Sequence, residues 1–231
     1  MTKVFREIIG VVLCMMLLSG VAGAEMTDYK NPKYNFKNIK SVLLFDMDMD
    51  QVNIENDIVA KNIQVNYELK AGKYKLPLVE LDKVLQKMSL ASGKDMNLLM
   101  AGNQEEFDKT FGEHVGDYVD AYVRAKIVRY ESERTYHPAY TSDEIRTRFV
   151  TDEDRDGNKR QRPVEYVETV HHRDYYSTEF YVTIEFRAYD AKTHEEIFSR
   201  LDNRCYYSET GASASEDSCK DFFKDFAKLI R

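Results

Sequence analysis

The stretch VTDEDRDGNKRQ begins like a calcium-binding loop. Asp152, Asp154 and Asp156 alternate along it, and Gly157 follows them. In such a loop, oxygens at positions 1, 3 and 5 converge on the ion, glycine at position 6 makes the turn, and a glutamate at position 12 closes the site. Position 12 is Pro163 here, which has no side-chain ligand. The pattern therefore predicts a polar hairpin turn, with weak Ca²⁺ binding as the alternative.

Three more aspartates, Asp46, Asp48 and Asp50, follow a short apolar run. Alternate residues of a strand point to the same face, so these carboxylates could form a cluster. Two carboxylates can serve as general acid and general base in a hydrolase. The alternative, which the pattern favours, is the acidic end of a strand that leads into a loop.

Adjacent histidines at His171 and His172 suggest a metal site. On a strand they would face opposite sides and could not bind one ion together, although His172 could act with Asp174. The sequence has no G-x-S-x-G, H-E-x-x-H or C-x-x-C motif. We therefore predict no catalytic residues, and no cofactor apart from the possible Ca²⁺.

Tyrosine is abundant, with 16 residues, whereas tryptophan is absent. Many tyrosines fall on the polar faces of predicted strands. A tyrosine offers a large apolar ring with a polar tip, which suits contacts with proteins or glycans. Ordinary strand propensity with cross-strand stacking is the alternative explanation. The tyrosines predicted to form a binding face are Tyr118, Tyr122, Tyr181 and Tyr189.

The N-terminal residues 1–24 have the three-part pattern of a secretory signal peptide. Lys3 and Arg6 form a basic start, an apolar run of 14 residues follows, and small residues end at Ala24. A helix of that length covers roughly 21 Å, which is less than the bilayer core of about 30 Å. We therefore expect cleavage near Ala24 and no transmembrane span in the mature chain. Leu13 before Cys14 argues against a lipid-modified cysteine.

Cleavage would leave 207 of the 231 residues with a formal net charge of about −8. This length is enough for one large domain with its own core. The acidic balance argues against general binding of nucleic acid, which requires a basic surface.

Two cysteines would remain after cleavage, Cys205 and Cys219. An exported chain with two cysteines suggests a disulfide. By closing the polar loop between the two cysteines, it would stabilise the folded chain by about 3 kcal/mol in the chain-entropy model. Two separate thiols, one of them buried on the last helix, are the alternative.

The hydrophobic pattern predicts an α+β fold. Residues 42–45 form a continuous apolar run, typical of a central strand covered on both faces. Residues 54–112 are mainly helical in pattern, and Pro77 suits the first position of a helix. From Asp117 onward the period is two, which is typical of antiparallel strands with one solvated face. The segments EIRTRFV and PVEYVETVHH predict a further hairpin.

The C-terminal residues predict a helix with an apolar stripe, capped by Asp217 or Ser218. We therefore predict a polar lead-in at 25–38 and a single α+β domain at 39–231. In that domain an antiparallel sheet has helices packed on one face, including the C-terminal helix. The residues of the stripe are Cys219, Phe222, Phe223, Phe226 and Ile230.

The segments AYDAKTHEEIFSR and YNFKNIKSVLLF resemble a group of exported bacterial envelope proteins of unknown function, many of them lipoproteins. Their hairpin runs Asp-Ala-Lys-Thr-Gly and then returns in an apolar strand, and envelope assembly proteins of the curli-secretion type have a similar arrangement. Asp190 can accept backbone hydrogen bonds as an Asx-turn, and His194 stands where the group has glycine. The resemblance implies a periplasmic or outer-membrane-associated α+β domain, without established catalytic residues.

These observations favour a non-enzymatic envelope protein that binds a partner, an envelope protein or a glycan, or supports assembly through the tyrosine-bearing face. A calcium-responsive envelope domain that uses the Asp152–Gly157 loop is the alternative. A hydrolase that uses Asp46, Asp48 or Asp50 is the hypothesis that the sequence favours least.

Overall fold

The computed structural model describes residues 25–153, 159–207 and 211–231. The predicted signal peptide at 1–24 lies outside this part of the chain. Among the helices of the described residues, none is both long and apolar enough to cross a membrane. Five residues of the calcium-like loop, 154–158, also lie outside the described ranges, among them Asp154, Asp156 and Gly157.

The chain divides into two compact units. The single domain predicted at 39–231 stays a prediction. Among the described residues, we call 25–132 together with 179–207 and 211–231 the sheet unit, and 133–153 together with 159–178 the ribbon unit. The strands are β1 Glu25–Lys30, β2 Val42–Asp48, β3 Leu78–Val79, β4 Ala121–His137, β5 Tyr140–Glu153, β6 Lys159–His172, β7 Tyr175–Asp190 and β8 Glu196–Tyr207. The helices are α1 Asp57–Lys73, α2 Leu81–Ser92, α3 Met96–Gly102, α4 Gln104–His114 and α5 Ala212–Ile230.

Six strands form one sheet in the order β1-β8-β7-β4-β2-β3. Strand β8 is antiparallel to β1 and β7, whereas β2 is parallel to β3 and β4. The sheet is therefore mixed, not antiparallel as predicted. Parallel neighbours need a long crossover, and the helical residues between β2 and β4 provide it.

One face of the sheet, which we call the α5 face, packs against α1 and α5. The predicted period of two is confirmed here, because alternate residues such as Val123 and Ile184 enter this core. Phe222, Phe223 and Phe226 of α5 are buried in the same core, as their spacing predicted. The C-terminal helix therefore docks on the sheet.

The opposite face, which we call the α4 face, carries a second core formed with α2, α3 and α4. Leu43 and Tyr122 belong to this core, and they alternate with Val42 and Val123 on the α5 face. The prediction that helices cover only one face is therefore wrong. Crossovers between parallel strands place helices on the sheet faces, and β2 is apolar on both of its faces.

Helix α1 lies in the segment 54–112 that was predicted as mainly helical, although Ile63, Val65 and Tyr67 also alternate like a strand. The Asn56 side chain caps it by accepting hydrogen bonds from the backbone N–H groups of Ile58 at 3.0 Å and Val59 at 3.1 Å. Val59, Ile63 and Tyr67 then repeat every four residues and are buried. The cap and the spacing of four together determine the helix.

Two predicted helix starts were wrong. Helix α2 begins at Leu81 and not at Pro77, because Leu78 and Val79 pair with β2 as strand β3. Helix α5 begins at Ala212, upstream of the predicted cap residues, and its first turn already enters the core through buried Ala214.

The segment predicted as a polar lead-in contains strand β1, which pairs with β8. Asp28 accepts hydrogen bonds from Arg200 Nε at 2.7 Å and Nη2 at 2.6 Å. Arg200 is buried and also contacts Asp225 of α5 at 2.9 Å. This strand is held by backbone hydrogen bonds to β8 and by an ion pair. It has no apolar alternation, so its hydrophobic pattern did not predict it.

The predicted disulfide is not formed, because Cys205 and Cys219 are both free cysteines. Arg200 and Arg204 of β8 point toward α5, where they pair with aspartates. Since successive strand residues alternate, Cys205 points to the other face of the sheet. Cys219 is buried on α5, and this burial raises the pKa of its thiol.

The turn between β7 and β8 confirms the predicted Asx-turn at Asp190. Its carboxylate accepts hydrogen bonds from the backbone N–H groups of Lys192 at 2.9 Å and Thr193 at 2.8 Å, and from the Tyr34 hydroxyl at 2.8 Å. His194 has a φ of 59°, the left-handed conformation that glycine favours. The imidazole Nε2 of His194 lies 2.8 Å from the Gly112 carbonyl oxygen, a contact that a glycine could not make.

Asp190 should make stability depend on pH in the acid range. Burial opposes its charge, but the hydrogen bonds from Thr193, Tyr34 and Lys192 outweigh burial and hold its pKa below the ordinary value of 3.8. This contribution is therefore complete above the unfolded pKa and is lost as the pH falls through the folded value. In urea unfolding between pH 6 and pH 2, Asp190→Asn should show a shallower loss of stability than the wild type. Identical slopes would contradict this assignment.

The ribbon unit contains the predicted hairpin, β5 paired with β6 in antiparallel register. The last residues of β4 and the first residues of β7 also belong to the ribbon unit. There the rings of His137 and Tyr175 stack with their centroids 4.5 Å apart. The hairpin register pairs Tyr140 with His172 and Glu153 with Lys159. The unit is therefore an antiparallel two-stranded ribbon.

Candidate binding cleft

A cleft of about 630 Å³ lies on the α4 face of the sheet unit. Three strands and two helices line it: Phe45 and Asp48 come from β2, Lys126 from β4, Arg187 from β7, Met100 from α3 and Gln104 from α4. A smaller cavity of about 340 Å³ shares lining residues with it. The shared residues are Asp108, Arg124 and Tyr189.

Aromatic rings form a connected group at the junction of the two cavities. Tyr122 and Tyr189 stack with centroids 5.0 Å apart and planes 20° apart. Tyr122 also meets Phe111 edge to face at 5.2 Å. The Arg124 guanidinium lies 4.9 Å from the centre of the Phe45 ring, a cation–π contact. These contacts fix the rings, so the site is formed before a ligand binds.

Three cations line the cleft, and each has a carboxylate beside it. Arg124 Nη2 donates to Asp108 at 2.7 Å, and Lys126 lies 3.3 Å from Asp48. The hydrogen bond from Arg187 to the Glu185 carboxylate is the main cause that raises the pKa of Arg187. The cleft therefore presents alternating donors and acceptors.

One donor of this group stays unused within the described residues. Arg124 Nε is buried and has no hydrogen-bond partner there. A buried donor without a partner costs free energy.

Asp46, Asp48 and Asp50 all line this cleft, as the hydrolase hypothesis requires. Their carboxylates nevertheless have local partners. Asp46 accepts from Gln64 Nε2 at 3.0 Å, and Asp48 accepts from the Asp50 N–H at 3.0 Å. Burial, followed by the charges of Glu68 and Asp82, raises the pKa of Asp46. The geometry matches the acidic strand exit that the pattern favoured.

The four predicted tyrosines lie on the α4 side of the sheet but differ in burial and in their partners. Tyr122 is only 7 % exposed and belongs to the second core, whereas Tyr189 is half-buried and lines the cleft. Tyr118 packs against the edge of the second core. Tyr181 donates to Glu179 at 2.7 Å and lies under the guanidinium of Arg129. Of the four, Tyr122 and Tyr189 stack directly on each other.

The described residues of the calcium-like loop are engaged within the ribbon. Asp152 lies in β5 and pairs with Arg162 of β6. No group of three or more metal-ligating side chains converges in the ranges that the structure describes. His172 contacts Ser142 at 2.9 Å, and Asp174 accepts from Tyr136 at 3.3 Å. Ca²⁺ binding by the complete loop stays a prediction.

Sequence reasoning missed Phe45, Arg124 and Asp108 as residues of the cleft. A signal was present in β4, where Tyr122 is followed at strand spacing by Arg124 and Lys126. Asp108 had none, because its contact with Arg124 depends on how α4 docks on the sheet.

No protein-family model and no curated protein matches this sequence. Among solved structures, the chain is similar to the PelC dodecamer from Paraburkholderia phytofirmans, with a TM-score of 0.41 and 7% sequence identity. A point variant of the same dodecamer in another crystal form gives a TM-score of 0.42, also at 7% identity. Both matches cover 89% of this chain and 98% of the PelC chain. A likeness this distant transfers neither ligand nor assembly.

Proposed function

We propose that this chain is an exported bacterial envelope protein that binds a glycan in the cleft of its α4 face, without catalysing a reaction. The proposal of export rests on the pattern of the predicted signal peptide and on the resemblance of the β7–β8 hairpin. The observation that carries the proposal of binding is the stacked Tyr122–Tyr189 pair beside the Arg124–Asp108 ion pair in one preformed cleft.

The chemistry of the cleft matches that of a sugar chain. A sugar ring has an apolar C–H face, which packs on an aromatic ring, and a rim of hydroxyl groups, which both donate and accept hydrogen bonds. Tyr189 and Phe45 provide aromatic rings. Arg124 and Lys126 provide hydrogen-bond donors, and Asp108, which pairs with Arg124, provides acceptors. Charged partners make the stronger hydrogen bonds, so they set the orientation of the ligand.

The Tyr189→Ala variant should bind glycan about tenfold more weakly than the wild type. The substitution removes a ring that would contribute roughly 1–1.5 kcal/mol by stacking, which corresponds to about a tenfold change in Kd. The measurement is a screen against an array of bacterial oligosaccharides, followed by titration calorimetry with the best binder.

Tyr206→Ala is the matched control, because Tyr206 is 40% exposed and β8 directs it to the α5 face. Circular dichroism melting should show that both variants are folded. Equal loss of binding in the two variants would argue against the cleft. Failure of every oligosaccharide to bind, together with capture of an envelope protein that Tyr189→Ala loses, would replace the glycan with a protein ligand.

A further inference from the structure

The ribbon unit exposes an apolar stripe on one of its faces. Ile145, Phe149 and Val167 are 73%, 69% and 63% exposed. The register pairs Ile145 with Val167 and Phe149 with Pro163, so these four side chains lie on the same face. We call this side the Phe149 face; it contains the odd-numbered residues of both strands.

Charges are distributed unequally between the two faces of the ribbon. The even-numbered side, which we call the Arg146 face, has seven charged residues, whereas the Phe149 face has four. Ion pairs close within the Arg146 face, where Arg146 Nε lies 2.9 Å from Glu168. This pattern is typical of a ribbon with one solvated side and one covered side. The charged residues of the Arg146 face are Glu144, Arg146, Arg148, Asp152, Arg160, Arg162 and Glu168.

A ribbon of two strands is marginally stable in water, and further strands or a packed layer make such a ribbon stable. We propose that the Phe149 face binds the Phe149 face of a second copy of this chain. Two ribbons would then form a two-layer sandwich that buries the apolar stripe.

The register itself makes the face self-complementary. If the twofold axis runs along the ribbon, β5 of one copy lies over β6 of the other, and each residue meets the counterpart of its own cross-strand partner. Apolar Ile145 then meets Val167, and Glu153 meets Lys159. Glu165 meets Thr147, a hydroxyl that can donate to it.

The antiparallel arrangement of the two ribbons lacks this match. To bring Phe149 over Ile145, it must place Glu165 of one copy over Glu165 of the other. Like charges in direct contact are unfavourable. Charge complementarity therefore favours the parallel arrangement over this antiparallel register.

The strength of this contact follows from its area. Fourteen residues at about 3.3 Å each give a length of about 46 Å, and two strands are about 10 Å wide. Two such faces would bury on the order of 900 Å², at the low end for specific interfaces. We therefore expect a weak dimer that forms at micromolar concentration.

Sedimentation velocity of the purified chain over a range of micromolar concentrations tests the dimer. Ile145→Glu should raise the dimer dissociation constant at least tenfold. Ile58→Glu is the matched control, because Ile58 is 72% exposed and lies in the first turn of α1. A wild-type chain that is monomeric throughout would overturn the proposal, as would equal effects of the two substitutions. Monomers that bind phosphatidylglycerol vesicles through Ile145 would assign the face to a membrane surface instead.

Cross-linking tests the arrangement separately from stability. One variant, Thr141→Cys, is made in a background with Cys14→Ser and Cys205→Ser, which retains only the buried Cys219, and is treated with a short bismaleimide. In the parallel arrangement the two copies of position 141 lie at the same level of the ribbon, one strand and one layer apart, about 11 Å, so a cross-linked dimer is expected. In the antiparallel arrangement about Thr147 they lie roughly 40 Å apart, twelve residues at about 3.3 Å each. Absence of the cross-link in a chain that sediments as a dimer would therefore overturn the parallel arrangement.

Discussion

Replacing Arg204 with methionine should lower the free energy of unfolding by about 3–5 kcal/mol. The Asp202 side chain is fully buried, and Arg204 donates to it from Nε at 3.0 Å and 3.1 Å and from Nη2 at 2.8 Å. Methionine keeps most of the apolar stem but leaves a buried carboxylate without a counter-charge. The loss should appear as a lower urea midpoint with an unchanged m-value.

The partner of Arg204 on helix α5 provides the matched control. Asp221 accepts from Arg204 Nη2 at 2.8 Å, but its side chain is 31% exposed. Asp221→Asn should therefore cost less than about 1 kcal/mol. The double variant Asp202→Leu with Arg204→Met removes both buried charges and should recover most of the loss. If Arg204→Met costs no more than Asp221→Asn, Asp202 does not depend on Arg204.

The sequence predicted the elements better than it predicted their arrangement. The period of two predicted strands with one buried face, and the alternate residues Phe180 and Phe186 of β7 are indeed buried against α5. The same alternation described the other side of β4 as solvated, yet Tyr122 is buried there by α4. Local periodicity shows that a strand has two kinds of face. It does not show whether a helix later covers the polar one.

Long-range pairs of polar residues limited the prediction of the site. Tyr189 was identified as a candidate because its strand pattern placed it on the polar side of β7. Asp108 was not, because an aspartate on a helix surface has no pattern of its own until α4 docks beside Arg124. Strand β1 escaped prediction for the same reason, since the Asp28–Arg200 pair joins residues at opposite ends of the chain.

Truncating Phe222 to alanine should destabilise the sheet unit by about 3–5 kcal/mol. Phe222 is fully buried and stacks with Phe186 at 4.5 Å, Phe198 at 5.4 Å and Phe226 at 5.9 Å. It therefore joins two strands to helix α5, and its removal leaves a cavity that the rigid sheet cannot close. Thermal unfolding followed by circular dichroism measures the loss.

Two substitutions separate the loss of packing from a general sensitivity to phenylalanine removal. Phe222→Leu retains most of the volume and should cost less than half as much as Phe222→Ala. Phe149→Ala, at a 69% exposed position, should change the unfolding of the sheet unit by no more than about 0.5 kcal/mol at low protein concentration. A Phe222→Ala loss below about 1 kcal/mol would mean that α5 is held mainly by its ion pairs with β8, so that Arg204 matters more than the aromatic stack.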